Sequence, residues 1–160
     1  MAIVSIAFKT LPAQTVAYAI CTGSYRNVSP RLNRLFGWLK EHDLPMRGAP
    51  GGRFPGTPED AAQGKTQWEL FAPVAADTTD RALDAEQIGV TRLAPREAAV
   101  TLYHGPYDST GNGYPPLLEW IAAHGYQIVG PAEEWWLDDD DEVPQAELRT
   151  EIAFPVEKEK

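Results

Sequence analysis

Glu134 is the residue whose placement most needs a chemical explanation. It sits among apolar and aromatic neighbours in the run Tyr126 to Leu137, which reads as a strand. An ionised carboxylate removed from water costs several kcal/mol unless a partner compensates it. Alternation along a strand sends Glu134 and Trp136 to one face. A carboxylate beside an indole suits an aromatic cation, because the ring offers stacking and cation attraction while the carboxylate offers countercharge. Glu133 is expected to face the other way, into solvent. A register slip of one residue would exchange the two glutamates.

Other candidates come in pairs. Glu69 and Glu151 lie in the matching contexts Trp68-Glu69-Leu70 and Thr150-Glu151-Ile152. Two carboxylates that converged would raise one another's pKa and prepare a general acid. Their repetition favours a scaffold or a binding-site wall over a catalyst. Tyr25 and Tyr107 are also repeated, which favours turn packing, although a tyrosine at a strand end can line a site. Trp68 is a further candidate aromatic wall. His104 stands without spaced carboxylate or thiol ligands, so neither a metal nor a cofactor is implied, and no nucleophile turn is recognisable. Cys21, the single cysteine, lies in a run that reads as buried strand and is expected to be structural.

These pairs reflect a duplication. An ungapped shift of 82 positions carries Leu11, Gly23, Tyr25, Leu35, Trp38, His42, Glu69 and Pro73 onto Leu93, Gly105, Tyr107, Leu117, Trp120, His124, Glu151 and Pro155. Glu134 has Gly52 as its counterpart, so this acid belongs to one half only. We expect one domain over residues 1–160, with repeat one at 1–74, repeat two at 84–156 and a small, polar tether at 75–87.

Each half reads as strand, helix, strand, strand. Ile3 to Phe8 and Gln14 to Cys21 are strands. A helix opens at Ser29 and Pro30 and carries Leu32, Leu35, Phe36 and Leu39 at three- and four-residue spacing as far as His42. A short strand around Met46 leads into Gly48 to Gly64, too rich in glycine and proline for regular structure, and Thr66 to Val74 closes the half as a strand. In the second half Ala98 to Tyr103 is a strand. Tyr114 to His124 is a helix stopped by Gly125. Tyr126 to Leu137 is one strand kinked at Gly130 and Pro131, Asp138 to Glu142 an acidic connection, Leu148 to Val156 the last strand, and Glu157 to Lys160 a frayed tail.

Composition narrows the function. With 160 residues, 43% of them hydrophobic, the chain can bury a core, and no stretch resembles a membrane span or a leader peptide. A soluble cytoplasmic protein is expected. The net charge of -9 opposes direct nucleic-acid binding, which needs clustered Lys and Arg.

Four strings taken in order, Tyr103-His-Gly-Pro-Tyr107, Leu118-Glu-Trp-Ile121, Gly130-Pro-Ala-Glu-Glu134-Trp-Trp136 and Thr150-Glu-Ile-Ala-Phe-Pro-Val156, resemble the GyrI-like small-molecule-binding domain of bacterial multidrug regulators. The resemblance implies an α+β fold of tandem duplicated strand-helix-strand-strand modules with pseudo-twofold symmetry and a central ligand groove. It further implies hydrophobic, planar or cationic ligands, with the family's ligand-contacting glutamate at Glu134. The tyrosine of that family pattern is Trp136 here.

Three readings stand. The chain is expected to be a stand-alone binder of amphipathic compounds, with Glu134, Trp136, Tyr107, Trp68, Glu69, Glu151 and Tyr25 as candidate contacts. An alternative is a hydrolase of cyclopropane-bearing electrophiles, with Glu134 as the candidate catalytic residue activating water. The third is an acidic interaction factor whose protein partner is of the gyrase type.

Overall fold

The computed structural model describes residues 3–139 and 141–159. Asp140 of the acidic connection and Lys160 of the expected tail lie outside them. In chain order the strands are β1 (Ile3–Leu11), β2 (Gln14–Thr22), β3 (Gly51–Phe54), β4 (Gln67–Pro73), β5 (Ile88–Leu93), β6 (Arg96–His104), β7 (Tyr126–Ile128), β8 (Ala132–Trp136) and β9 (Arg149–Lys158). The helices are α1 (Val28–Glu41), α2 (Pro58–Ala62) and α3 (Tyr114–Ala123). This is a mixed α/β fold of antiparallel strands and a few helices.

The chain up to Leu11 and from Arg96 onward forms one compact unit, and Pro12–Pro95 forms another. In the first, the strand order is β1-β6-β9-β8, with β7 also on β9. Leu117 and Ile121 of α3 cluster with Ala99 and Tyr103 of β6 and Ile152 and Val156 of β9. Removal of these side chains from water supplies about 25 cal/mol per Å² of apolar surface. Pro115 and Pro116 occupy the first turn of α3, where their missing N–H groups forfeit no helical bond. Gly125, at φ 73°, follows the helix as a left-handed stop.

In the second unit the order is β3-β4-β2-β5. Helix α1 buries Leu35 and Leu39 of the spacing read from the sequence, with Trp38 beside them, leaves Leu32 and Phe36 half-buried, and packs on β2 and β4. His42 stacks on Trp38 at 3.9 Å, as His124 stacks on Trp120 at 4.0 Å in the other unit, so both helix-end histidines are fastened to their own helices. Cys21 is buried, and burial pushes its thiol up to about 11, with Glu69 adding to the rise and Arg31 opposing it. A protonated, shielded thiol is a poor nucleophile.

Several expectations are corrected. No strand forms around Met46. Gly48 to Gly64 is not irregular but contains β3 and α2. Gly52 serves packing: a Cβ there would lie 2.8 Å from Cζ of Phe54 and 2.9 Å from the Glu69 carbonyl oxygen. Helix α2 starts from a reciprocal cap, with the Thr57 hydroxyl accepting from the Asp60 N–H and the Asp60 carboxylate accepting from the Thr57 N–H. Tyr126 to Leu137 is two strands rather than one kinked strand. Both pair with β9, on either side of Pro155, which has no N–H to donate. Glu157 and Lys158, expected to fray, continue β9 opposite β7. Strand β5 was not anticipated; it pairs with β2.

The small, polar segment 75–87 is fastened at its end. Asp84 accepts from Trp38 Nε1 at 2.8 Å and from the Glu86 and Ile88 N–H groups. The Trp38 hydrogen bond, followed by the backbone ones, holds the Asp84 carboxyl below its usual range.

Gly52→Ala should lower the urea midpoint, costing ~1 to 3 kcal/mol as overpacking in a filled site does. Urea unfolding of the variant beside the parent measures it; an unchanged midpoint would show that Phe54 can yield.

Candidate functional site

Strand β8 carries two adjacent glutamates to opposite faces. Contrary to the expectation of solvent exposure, Glu133 is fully buried, at 0% relative exposure. Its Oε2 accepts from Arg96 Nε at 2.8 Å, and its Oε1 accepts from Arg96 Nη2 at 2.6 Å and Trp135 Nε1 at 3.1 Å. Arg96 opens β6, two strands away, and spans β9 to reach it. A two-pronged guanidinium contact of this kind provides the countercharge that a buried carboxylate needs.

Glu134, on the other face with Trp136, is partly buried and is paired with no cation among the described residues. Its Oε2 accepts from the Tyr114 hydroxyl at 2.5 Å, and its Oε1 accepts from Trp136 Nε1 at 3.3 Å. Burial pushes its carboxyl up, and the Tyr114 and Trp136 hydrogen bonds only partly oppose that push. Tyr114 is the first residue of α3, and its ring meets Phe154 of β9 edge-on at 5.8 Å. Trp136 lies opposite Thr150, which lies opposite Tyr103. The Thr150 hydroxyl in this row is buried and finds no hydrogen-bond partner among the described residues.

Sequence reasoning missed Tyr114. The signal was available in the 82-residue offset, which sets Tyr114 on Leu32 just as it sets Glu134 on Gly52. Both members of the hydrogen-bonded pair are thus present in one half of the sequence only.

Two further candidates in this unit are Glu151 and Tyr107. Glu151 is the cross-strand partner of Trp135 and shares its face, where it pairs with Lys9 Nζ at 3.0 Å. The Tyr107 hydroxyl donates to the Asp138 carbonyl at 2.5 Å and accepts from the Asp138 N–H at 3.1 Å, which fastens the segment following β8. Asp138 in turn grips the Arg149 side chain at 2.9 and 3.0 Å, and that contact holds its carboxyl below the usual range.

In the unit Pro12–Pro95, Tyr25 and Trp68 meet with Phe54 in an aromatic triangle. The ring centroids lie 5.1, 5.7 and 6.0 Å apart. Trp68 is fully buried and donates to the Gly23 carbonyl at 2.9 Å; the Tyr25 hydroxyl donates to the Pro55 carbonyl at 3.1 Å. Glu69, on the opposite face of β4 from Trp68, lies 3.7 Å from Arg53 Nη1. Burial pushes its carboxyl up and the Arg53 charge opposes this. The Arg53 guanidinium also stands over the Phe71 ring at 5.3 Å.

The profile of the GyrI-like small molecule binding domain matches residues 5–157. The chain belongs to the GyrI-like family. The C-terminal domain of EcmrR is similar in fold, with a TM-score of 0.77 at 22% identity and 99% of each chain covered. In the EcmrR–DNA complex the match has a TM-score of 0.79 at 21% identity, and this chain spans 57% of that longer protein. A hydrolase from Listeria innocua aligns at 0.66 with 11% identity, covering 95% and 91% of the two chains. SAV2435 bound to tetraphenylphosphonium aligns at 0.61 with 16% identity, covering 96% and 94%. No curated protein matches the chain. Within this GyrI-like domain no helix is long and apolar enough to cross a membrane, among the described residues.

A carboxyl whose pKa is raised on folding favours the native state when protonated and weighs against it when ionised. The native state then holds more protons than the unfolded one, so this contribution to stability falls as pH rises from the ordinary carboxyl value through the native one. Glu134→Gln cannot titrate. Urea unfolding across pH should therefore show the variant gaining on the parent as pH rises through that window, and parallel curves would contradict the raised carboxyl.

Proposed function

We propose that this GyrI-like domain binds hydrophobic, planar or cationic compounds, aromatic cations foremost, with Glu134 as the acidic anchor and Trp136 and Tyr114 as the ring surfaces around it. One contrast carries the reading. Among the described residues, Glu133 receives a guanidinium and the adjacent Glu134 only uncharged donors. A partly buried carboxylate whose hydrogen bonds are met but whose charge is not is suited to a delocalised cation, which supplies charge and asks for few hydrogen bonds in return. The tetraphenylphosphonium bound to SAV2435 has that chemistry.

The 82-residue offset further supports two modules descended from one, within a single domain, in which only one copy gained the Tyr114–Glu134 pair. In the other copy Phe54 fills the space beside Gly52. Tyr25, Trp68, Tyr107, Glu69 and Glu151 then serve as supporting structure, each being held by its own unit. We place the protein in the cytoplasm as a binder of small molecules.

The hydrolase reading keeps one observation in its favour: a carboxyl pushed up by burial and hydrogen-bonded to a phenol could pass a proton to or from an attacking water. Net charge alone supports the protein-interaction reading.

Glu134→Gln keeps the shape of the side chain and removes its charge. Affinity for tetraphenylphosphonium, followed by calorimetry, should fall by ~1 to 3 kcal/mol, while a neutral analogue such as tetraphenylmethane derivatised for solubility should change little. Glu133→Gln should instead destabilise the fold by about 3 kcal/mol, because it strands the Arg96 charge. Equal cation affinity in parent and Glu134→Gln would remove Glu134 as the anchor. Turnover of a cyclopropane-bearing electrophile, lost in Glu134→Gln with binding intact, would put the hydrolase reading first.

A further inference from the structure

When no cation is bound, the Glu134 charge must be met in another way. Among the described residues, the groups that face Glu134 are uncharged at neutral pH. Helix α3 contributes the Tyr114 phenol, β8 contributes the Trp136 indole, and β9 contributes Ile152 as the cross-strand partner and Phe154 packed on Tyr114. Thr150, opposite Trp136, and Tyr103 beyond it complete the row. Three other carboxylates of this unit are closed by cations of their own. Glu133 is closed by Arg96 on the opposite face of β8, Glu151 by Lys9 on the opposite face of β9, and Asp138 by Arg149 past the end of β8.

A carboxylate in this position has two ways to lose its unpaired charge: a cation can arrive, or a proton can. Resting on the reading of Glu134 as the cation anchor, we propose that the site exchanges one for the other: the empty site holds a proton on Glu134, and a bound cation displaces that proton to solvent. One O–H bond of the carboxylic acid breaks, the electron pair stays on the carboxylate, and the proton passes to water or buffer. The geometry accommodates both states. The ionised carboxylate accepts from Tyr114 and Trp136, whereas the protonated acid can donate through one oxygen toward the Tyr114 hydroxyl oxygen while the other still accepts from Trp136. The upward push that burial exerts on this carboxyl acts in the same direction. The heavy-atom contacts therefore stay in place when the proton leaves, and the Tyr114 hydroxyl turns from accepting to donating. Affinity for a permanent cation should then climb with pH until the free site is ionised, and level off above that.

Tetraphenylphosphonium is a suitable probe because it carries a fixed charge and has no proton to exchange. Titration calorimetry of the full chain, from about pH 5 to about pH 8 in buffers of differing ionisation enthalpy, counts the protons released. In the parent, about one proton should leave per cation wherever the free site is protonated, with affinity rising about tenfold per pH unit over the same range. Glu134→Gln should release none and show a flat profile. A second readout needs no ligand. The infrared spectrum of the free parent should contain a protonated-carboxyl C=O band that persists above the pH at which ordinary carboxyls have ionised, that is lost on adding the cation, and that is missing from Glu134→Gln. Binding of tetraphenylphosphonium to the parent with no proton release and no pH dependence would overturn the exchange and leave the anchor standing. Absence of any binding across the pH range would overturn the anchor reading. Absence of the persistent carboxyl band in the free parent would overturn the exchange whatever the ligand.

Discussion

The closed contact between Arg96 and Glu133 sets the conditions for the rest of the candidate site. A buried carboxylate with a two-pronged guanidinium and an indole N–H on it ties β8 to the start of β6 across β9, and a slip of one residue that brought Ala132 to this position would take the carboxylate away from Arg96. With that face fixed, alternation alone delivers Glu134 and Trp136 to the other side, beneath the start of α3. The pair is better understood as a specificity device than as a source of net stability, since a well-packed apolar replacement for a buried ion pair is often at least as stable.

Adjacent residues of one chemical type thus come to do different work. Glu133 has its charge neutralised permanently by the fold, while Glu134 has its hydrogen bonds satisfied and its charge left for something else. The distinction lies in the partners and not in the carboxylates themselves. Tyr114 and Trp136 supply donors without charge, and on the proposed reading a proton or an aromatic cation takes the place that Arg96 fills at Glu133. Asp138, held by Arg149 and by the two-way hydrogen bond to Tyr107, then fixes where the chain goes after β8, so Trp136 is anchored from both ends of its strand.

Glycine and proline play a part that composition alone misreports. Glycine in quantity ordinarily signals loose chain, because its ordering entropy is large. Here Gly52 is buried and is required by the Phe54 ring and the Glu69 carbonyl, which leave no room for a Cβ. Pro155 divides what reads as one long strand into β7 and β8 by withholding a single N–H from the ladder. Both effects depend on what lies opposite in space, which a local window of sequence does not contain.

What the sequence determined by itself was what depends on local period and local chemistry. It placed α1 and α3 through their apolar spacing, β2, β4, β6 and the body of β9 through alternation and β-branched content, and the shared face of Glu134 and Trp136 through the two-residue period of a strand. The family followed from four strings in register. Tertiary structure alone decided the partners: Arg96 lies 37 residues from Glu133 and Tyr114 lies 20 from Glu134, distances at which no periodicity links them. It likewise decided that Glu133 is buried rather than solvated, that the glycine-rich segment is ordered, and that β5 belongs beside β2. The physical reason is that a carboxylate's cost and role are set by the charge and donors around it, and those are brought together only when distant strands pair.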